Sequence, residues 1–320
     1  MPAKLQTYTT PSDANNNRLT NENAEFYQRT LLDRLNDSVF FMPYGKKTTI
    51  PRHAGAVTSW RRLEMPAVTT TAITEGVTPN GIDLTINKVS ATVQQFGTFT
   101  KITDFIDMVG LDPLLTEVSD LFGEHAGLTM DIIVRDILKA GTNAQYSNNR
   151  AGHSTLAAGD KISTAEIQKA RATMKKNNVK MIRLPNGNMG YLAFVHPDTA
   201  TQIFNLQEWK DQNTYVDTKN REAGIMGQMY GIYFMEATTA PTFTDGGAGA
   251  NLAGKMIIII GEGAFGIPDV AGSSKPEIMV FSEGNTENPL ALYSTVAWKS
   301  CFTAARLNES CILRLEVLDA

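Results

Sequence analysis

Apolar positions recur along this chain of 320 residues with several distinct rhythms, and each rhythm predicts an element. Residues 1–22 have none. Asn and Thr dominate there, so the segment alone cannot offset its ordering entropy and reads as a flexible arm. Over 23–36, Tyr27, Leu31 and Leu35 stand four apart with Arg and Asp between them, which predicts a short amphipathic helix. From Lys46 to Thr103 the composition turns to Thr and Val, broken by Gly55, Gly76, Gly81 and Gly97, which is strand chemistry. Period-two alternation appears twice, at Ile82, Leu84, Ile86 and at Val89, Ala91, Val93. The phase slips by one near Asn87 and Lys88, where a β-bulge is expected. The stretch TEGVTPNG, Thr74 to Gly81, supplies Gly, Pro and Asn for reversals of direction. The first half, RHAGAVTSWRRLE, has too little apolar material to bury both faces of a sheet. A long ribbon of that kind is a poor core element and is expected to reach out and pair with something else.

The strongest helical rhythm follows. Asp112 suits the N-cap and Pro113 the first helical position. Leu115, Val118, Phe122, Ala126, Met130, Ile133 and Ile137 then recur at three- or four-residue steps until Gly141. At about 1.5 Å per residue this helix spans roughly 40 Å, longer than most domains need, and reads as a strut. After a loop rich in Gly and Asn, Ser163 and Glu166 have capping-box spacing for a helix that carries Ile167, Ala170 and Met174 and ends near Asn177 and Asn178. Beyond Met189 the elements alternate. The strand MGYLAFVH leads into a short helix, ATQIFN, and a polar loop over 210–222. The strand QMYGIYFMEA, the loop PTFTDGGAGANLAG and the strands KMIIII and EIMVF complete a small α+β unit. Two last strands, ALYSTVAWKSCFTAARL and SCILRLEVLD, are expected to form a hairpin through Asn308 and Glu309. The partner expected for it is the ribbon ending at Thr103, which makes one subdomain discontinuous in sequence.

Composition narrows the function. A hydrophobic share of 42% supports a sizeable core, and a net charge of -4 argues against a protein built mainly to grip a phosphate backbone. The N-terminus lacks an apolar core of the signal-peptide kind, and the aliphatic run Met256 to Ile260 is too short to cross a bilayer. Cys301 and Cys311 read as thiols of a reducing compartment. His53, His125, His153 and His196 form no metal-binding spacing and read as surface or capping residues. The stretch KMIIIIGEGAFG invites a different reading, since a strand followed by G-x-G-x-x-G is the dinucleotide fingerprint. That fingerprint needs a helix N-terminus at its third glycine, and Pro268, Gly272 and Pro276 leave no room for one before EIMVF. No P-loop, nucleophile elbow or C-x-x-C occurs, and Asp198 beside His196 reads as a strand-end capping pair. No catalytic residue, cofactor or metal is expected.

The order of features carries a resemblance. In sequence come a polar arm, ITEGVTPNGIDLTINKVSATVQQFGTFTKITDFID, the helix end TMDIIVRDIL, IIGEGAFGIPDV, and NPLALYSTVAWKSCFTAARLNESCILRLE. Together they resemble the major capsid proteins of tailed bacteriophages, the Hong Kong 97-type α+β fold, and within them the N-four-like podophage family. The resemblance covers most of the chain from about Ala24. It implies an N-terminal arm and short helix over 1–45, and an extended β-hairpin loop with its leading strand over 46–101. It implies a peripheral domain over 102–160 and 285–320 with a spine helix at 112–141, and an axial domain over 161–284. It implies a virion shell protein, made in the host cytoplasm, that self-assembles into hexamers and pentamers of an icosahedral head. Its implied partners are copies of itself, a separate scaffolding protein (no long helical extension precedes the arm), a portal, a decoration protein and non-specifically held double-stranded DNA, with no membrane. The ribbon residues expected at contacts between subunits are Arg52, Trp60, Arg61, Arg62, Glu75, Gly76 and Pro79. An encapsulin-like cargo shell and a dinucleotide-dependent oxidoreductase stand as alternative readings.

Overall fold

A computed structural model describes residues 31–32, 39–51, 53–73, 75–76, 78, 80–109, 114–184, 187–213, 224–249, 251–270, 274–281 and 288–318. The arm expected over 1–22 lies outside the described residues, as do Tyr27, Leu35, Asp112 and Pro113. In chain order the strands are β1 (Lys46–Ile50), β2 (Val57–Leu63), β3 (Ile86–Thr92), β4 (Gln94–Thr103), β5 (Ala144–Tyr146), β6 (Ile182–Arg183), β7 (Met189–Val195) and β8 (Ile225–Met229). They continue as β9 (Ile232–Glu236), β10 (Thr242–Gly246), β11 (Leu252–Ile260), β12 (Phe265–Val270), β13 (Glu277–Phe281), β14 (Tyr293–Phe302), β15 (Ala305–Arg306) and β16 (Ile312–Leu318). The helices are Asp104–Val109, Leu114–Lys139, Thr164–Lys176, Pro197–Phe204 and Gln207–Asn213. Contacts divide the chain into two units, one of residues 1–53, 94–136 and 268–302, the other of residues 54–93, 137–267 and 303–320.

In the first unit β13, β14 and β4 form an antiparallel sheet. β14 runs against β4 from Tyr293 opposite Thr103 to Phe302 opposite Gln94, so the strand after residue 290 does return to the ribbon's end as its pattern predicts. Its core joins Ile102, Ile278, Val280, Val296 and Trp298 to Ala126 of the long helix and to Leu31. Leu31 and Leu32 are helical, in agreement with the amphipathic spacing. Gly123 has a packing reason, because a Cβ there would strike the backbone of Leu31. Buried Asp131 accepts the N–H groups of Phe40 and Phe41 at 3.0 and 2.8 Å, satisfying a chain entry that no local pattern reveals. Along the long helix Ala126 and Met130 are buried as expected, but Val134 and Leu138 continue the stripe instead of Ile133 and Ile137. Each step of four advances the stripe by about 40°, so the buried face winds gradually round the helix in the later turns, where the expected mix of three- and four-residue steps would have held it in place.

The second unit is built on a mixed sheet in the order β5-β16-β11-β7-β9-β8, with β10 also on β11 and β6 on β7. β11 is paired with β16 from Gly254 opposite Leu318 to Ile260 opposite Ile312, and with β7 on its other edge. Met256, Ile257, Ile258, Ile259 and Ile260 are all buried, as a strand enclosed on both faces requires. Glu166 accepts the Ser163 N–H at 2.8 Å, forming half of the expected capping box at the start of Thr164–Lys176.

Four expectations are corrected. QMYGIYFMEA is a hairpin and not one strand: Tyr230 (φ 53) and Gly231 (φ 80) form the two-residue turn between β8 and β9, a geometry that favours glycine. Part of the loop expected before KMIIII is the strand β10, paired to β11. The last two strands do not form a hairpin. β14 pairs with β4 and β13, whereas β16 enters the other unit's sheet between β11 and β5; a 3-10 turn at Glu309–Cys311, capped by the Asn308 side chain, redirects the chain. Finally, β2 and β3 keep one register through Asn87 and Lys88, so no bulge occurs there. The phase slip is a change of side within one regular strand: Ile86, paired with Leu63, lies on one side of β3 and Val89 and Ala91 on the other, while Ile82 and Leu84 precede the strand.

Candidate functional site

The ribbon of β2 and β3 is a two-stranded sheet with its side chains sorted onto two faces. Register places Trp60 opposite Val89 and Thr58 opposite Ala91 on one face. Thr58 is buried and Trp60, Val89 and Ala91 are half-buried, so this is the inner face. Trp60 lies over Gly266 of β12, where a Cβ would come within 2.9 Å of the indole ring and 3.2 Å of Leu307. Beside it Arg62 donates to the Asn308 side chain at 2.6 Å and stands 3.6 Å from Glu64, which also accepts from Asn87. The inner face therefore roots the ribbon on its own unit.

That contact answers the question raised by GEGAFG. Gly266 has no room for a Cβ because Trp60 covers it, Gly263 takes a left-handed turn (φ 71), and Gly261 leaves space for Val179. The third glycine opens β12 and not a helix, so no row of free N–H groups points at an anion. Among the described residues no group of His, Cys, Asp and Glu is arranged to hold a metal, and no helix is long and apolar enough to cross a membrane.

The outer face is different. Val57 opposite Thr92, Ser59 opposite Ser90, Arg61 opposite Lys88 and Leu63 opposite Ile86 are all exposed. Among the described residues of the tip beyond them, over 64–85, there is no strand, and Met65 (87% exposed), Val68, Ile73, Ile82 and Leu84 stand in solvent. Glu75 and Gly76 lie in the exposed turn of this tip, Gly76 with φ 79. Of the seven contact residues expected from sequence, Trp60 and Arg62 are engaged by their own unit, while Arg61, Glu75 and Gly76 face outward. Arg52 and Pro79 lie outside the described residues.

Two buried charge nodes were not foreseen. Glu316 of β16, 1% exposed, meets His153 Nδ1 at 2.5 Å and Arg314 Nε at 2.9 Å, and His153 Nε2 reaches Asp245 at 3.2 Å. Burial works against a charged imidazole, but Glu316 and then Asp245 outweigh it and raise the His153 pKa. Nearby, burial opposes ionisation of Asp160, yet hydrogen bonds from Arg150, the Ala157 N–H and Asn148 hold its pKa below the usual carboxylate value. Arg306 and Arg314 donate to the carbonyls of Ile137 and Lys139 at 2.9 and 2.5 Å, closing the long helix's C-terminus. His196 caps Pro197–Phe204 by accepting the Asp198 N–H at 3.2 Å, as expected for that pair. All of these are structural roles.

The profile of a phage capsid protein family matches residues 86–304, more than half of the chain. The chain belongs to that family. This makes it a structural virion protein and not an enzyme. No curated protein sequence matches it. Among solved structures it is similar to the capsid of Ralstonia phage GP4, with a TM-score of 0.72 at 13% identity, covering 100% of this chain and 99% of that one. The capsid of cyanophage Pam1 gives 0.67 at 11% identity, covering 99% and 98%. The head of Helicobacter pylori bacteriophage KHP40 gives 0.65 at 12% identity, covering 86% and 87%. At such identities the likeness carries the fold, and the fold is the Hong Kong 97-type capsid fold.

Proposed function

We propose that this capsid subunit forms hexamers and pentamers of an icosahedral head around double-stranded DNA, and that its ribbon is finished by a neighbouring copy. The observation that carries this is the sorting of the ribbon: one face is rooted on Gly266 and Asn308, while Leu63, Met65, Val68, Ile73 and Ile86 stand exposed on the other face and the tip. A two-stranded ribbon with exposed apolar residues is marginal in water, and a repeated partner surface supplies what it lacks. Arg61, Glu75 and Gly76 then lie at the contact between subunits, with Arg52 and Pro79 on adjoining segments and Trp60 and Arg62 holding the base. The resemblance in sequence order supports a place with the N-four-like podophages. It also supports the division into arm (1–45), extended loop (46–101), peripheral domain (102–160 and 285–320) and axial domain (161–284). By the same resemblance the subunit is held in the host cytoplasm before assembly and works with a scaffolding protein, a portal and a decoration protein. Deleting residues 69–81 tests the reading: it leaves a soluble folded subunit that makes no shells, whereas normal particles from that deletion contradict it.

A further inference from the structure

The modest net charge of -4 hides an uneven distribution. Between Thr164 and Arg183 lie six of the chain's 29 Lys and Arg residues and a single acid, Glu166, so this segment carries +5 and the rest of the chain -9. Ile167, Ala170 and Met174 bury one face of the helix Thr164–Lys176, while Lys169, Arg171, Lys175 and Lys176 are exposed on the remainder. Asn178 then takes a left-handed conformation (φ 52) and the Val179 N–H donates to the Met174 carbonyl at 3.1 Å, which ends the helix and turns the chain. Lys180 and Arg183 carry the exposed cations on into β6.

Elsewhere in this unit Arg150, Lys255, Arg306 and Arg314 each have a carboxylate within 3.3 Å. Among the described residues none of the six cations between Thr164 and Arg183 is paired in this way. Lys169 donates to the Asn149 amide oxygen at 2.8 Å and Lys175 lies over the Tyr191 ring, and both partners are neutral. Glu166 supplies no counter-charge on the exposed face, since its carboxylate accepts the N–H groups of Ser163 and Asn148. The positions four before and four after each helical cation hold no acid, and Arg171 and Lys175, themselves four apart, repel. The helix dipole accounts for Lys175 and Lys176 in the last turn, but not for Lys169, Arg171, Lys180 or Arg183. Two acids lie at the margins: Glu208, which accepts from Thr164, and Glu262, whose N–H donates to the Lys180 carbonyl at 3.0 Å.

A single exposed carboxylate gains little from such a surface. A rigid line of dense negative charge gains much more, because it meets several cations at once and releases its counterions as it does so. From Lys169 to Lys176 the helix rises about 10 Å, and duplex DNA carries one phosphate charge for about every 1.7 Å of its axis. An extended acidic peptide offers at most one carboxylate per about 3.3 Å, half that density. We propose that the cationic surface of the helix Thr164–Lys176 and β6 is where the subunit meets the phosphate backbone of double-stranded DNA. This rests on the reading of the chain as the shell of a DNA-filled head, and adds which surface the DNA touches.

The test uses the full chain as wild type, as K169Q/R171Q/K176Q and as K46Q/K47Q/K299Q, which removes the same charge from exposed lysines elsewhere. Gln has a helix propensity close to that of Lys and Arg, so circular dichroism and melting stay at wild type. Binding to a random-sequence duplex is followed by fluorescence anisotropy between about 50 and 200 mM salt, and shells by sedimentation and negative stain. The expected result for K169Q/R171Q/K176Q is an affinity at low salt at least about tenfold lower and a log–log salt slope shallower by about 3, with K46Q/K47Q/K299Q within about twofold of wild type. All three forms make shells. The proposal is overturned by absence of duplex binding in wild type, by unchanged binding in K169Q/R171Q/K176Q, or by an equal loss in K46Q/K47Q/K299Q. Tighter binding of wild type to poly-glutamate than to duplex also overturns it and assigns the surface to an acidic protein segment. Loss of shells in K169Q/R171Q/K176Q alone overturns it as well and assigns the surface to a contact between copies. Wild type that binds duplex as expected but makes no shells sinks the shell reading and leaves the DNA surface standing.

Discussion

The strand β11 and the ribbon of β2 and β3 use similar residues to opposite ends. β11 holds Ile257 to Ile260 with almost no exposed surface, because β16 and β7 occupy its two edges and both its faces are covered. The ribbon also carries Val, Leu and Ile, but Leu63 is 64% exposed and, among the described residues, no third strand joins the two-stranded sheet. Side-chain type therefore does not decide which region is complete. What decides it is whether the chain brings a second layer, and in this subunit it does so for the central sheet and for only one face of the ribbon.

Breaking the complete region has the largest effect on the subunit itself. Ile258→Asp places an unpaired carboxylate in the middle of the central sheet and costs roughly 4 kcal/mol or more, enough to remove soluble folded protein from expression trials. Next comes the root of the ribbon. Gly266→Ala drives a methyl group into the Trp60 ring and costs about 1–3 kcal/mol in chemical denaturation. In a Trp60→Ala background the same change costs clearly less, and equal costs in both backgrounds would show that Trp60 is not the reason for that glycine.

A smaller, pH-dependent effect sharpens the contrast on the side of the central sheet. Because the folded pKa of His153 is raised, its protonated contact with Glu316 contributes in full below the ordinary histidine value of 6.5. The contribution fades as pH rises through the higher folded value. His153→Gln therefore lowers the melting temperature of the isolated subunit more at about pH 5.5 than at about pH 8.5. Equal losses at both pH values would remove the charge from this account. Smallest of all for the subunit are changes at the tip: Met65→Ser or Val68→Ser moves subunit stability by no more than about 0.5 kcal/mol while reducing shell yield.

Much of this architecture was legible in the sequence, wherever the signal was local or periodic. The run Met256 to Ile260, the steps through Ala126 and Met130, the pairing of Ser163 with Glu166 and the absence of a helix after Gly266 all follow from spacing and from proline and glycine placement. The outward nature of the ribbon was legible too, from the scarcity of apolar residues around Trp60. What was hidden depends on contacts between distant residues. Asp131 meeting the backbone of Phe40 and Phe41, or Glu316 meeting His153, has no sequence spacing to announce it, because Asp131, Glu316 and His153 are polar and look like surface residues until the fold encloses them. The turn at Tyr230 and Gly231 had a signal, a lone glycine within a strand-like run, whose turn chemistry was masked by the apolar residues on either side. The separation of β14 from β16 left no local mark, since a strand pattern names a face to be buried and not the sheet that will bury it.

The claim that the ribbon is completed by another copy is tested most directly by hydrogen–deuterium exchange of the same protein as free subunits and as shells. The account predicts that amides over 57–92 exchange quickly in the free subunit and become strongly protected in shells, while those of 254–260 are slow in both. Equal exchange over 57–92 in the two states would contradict it.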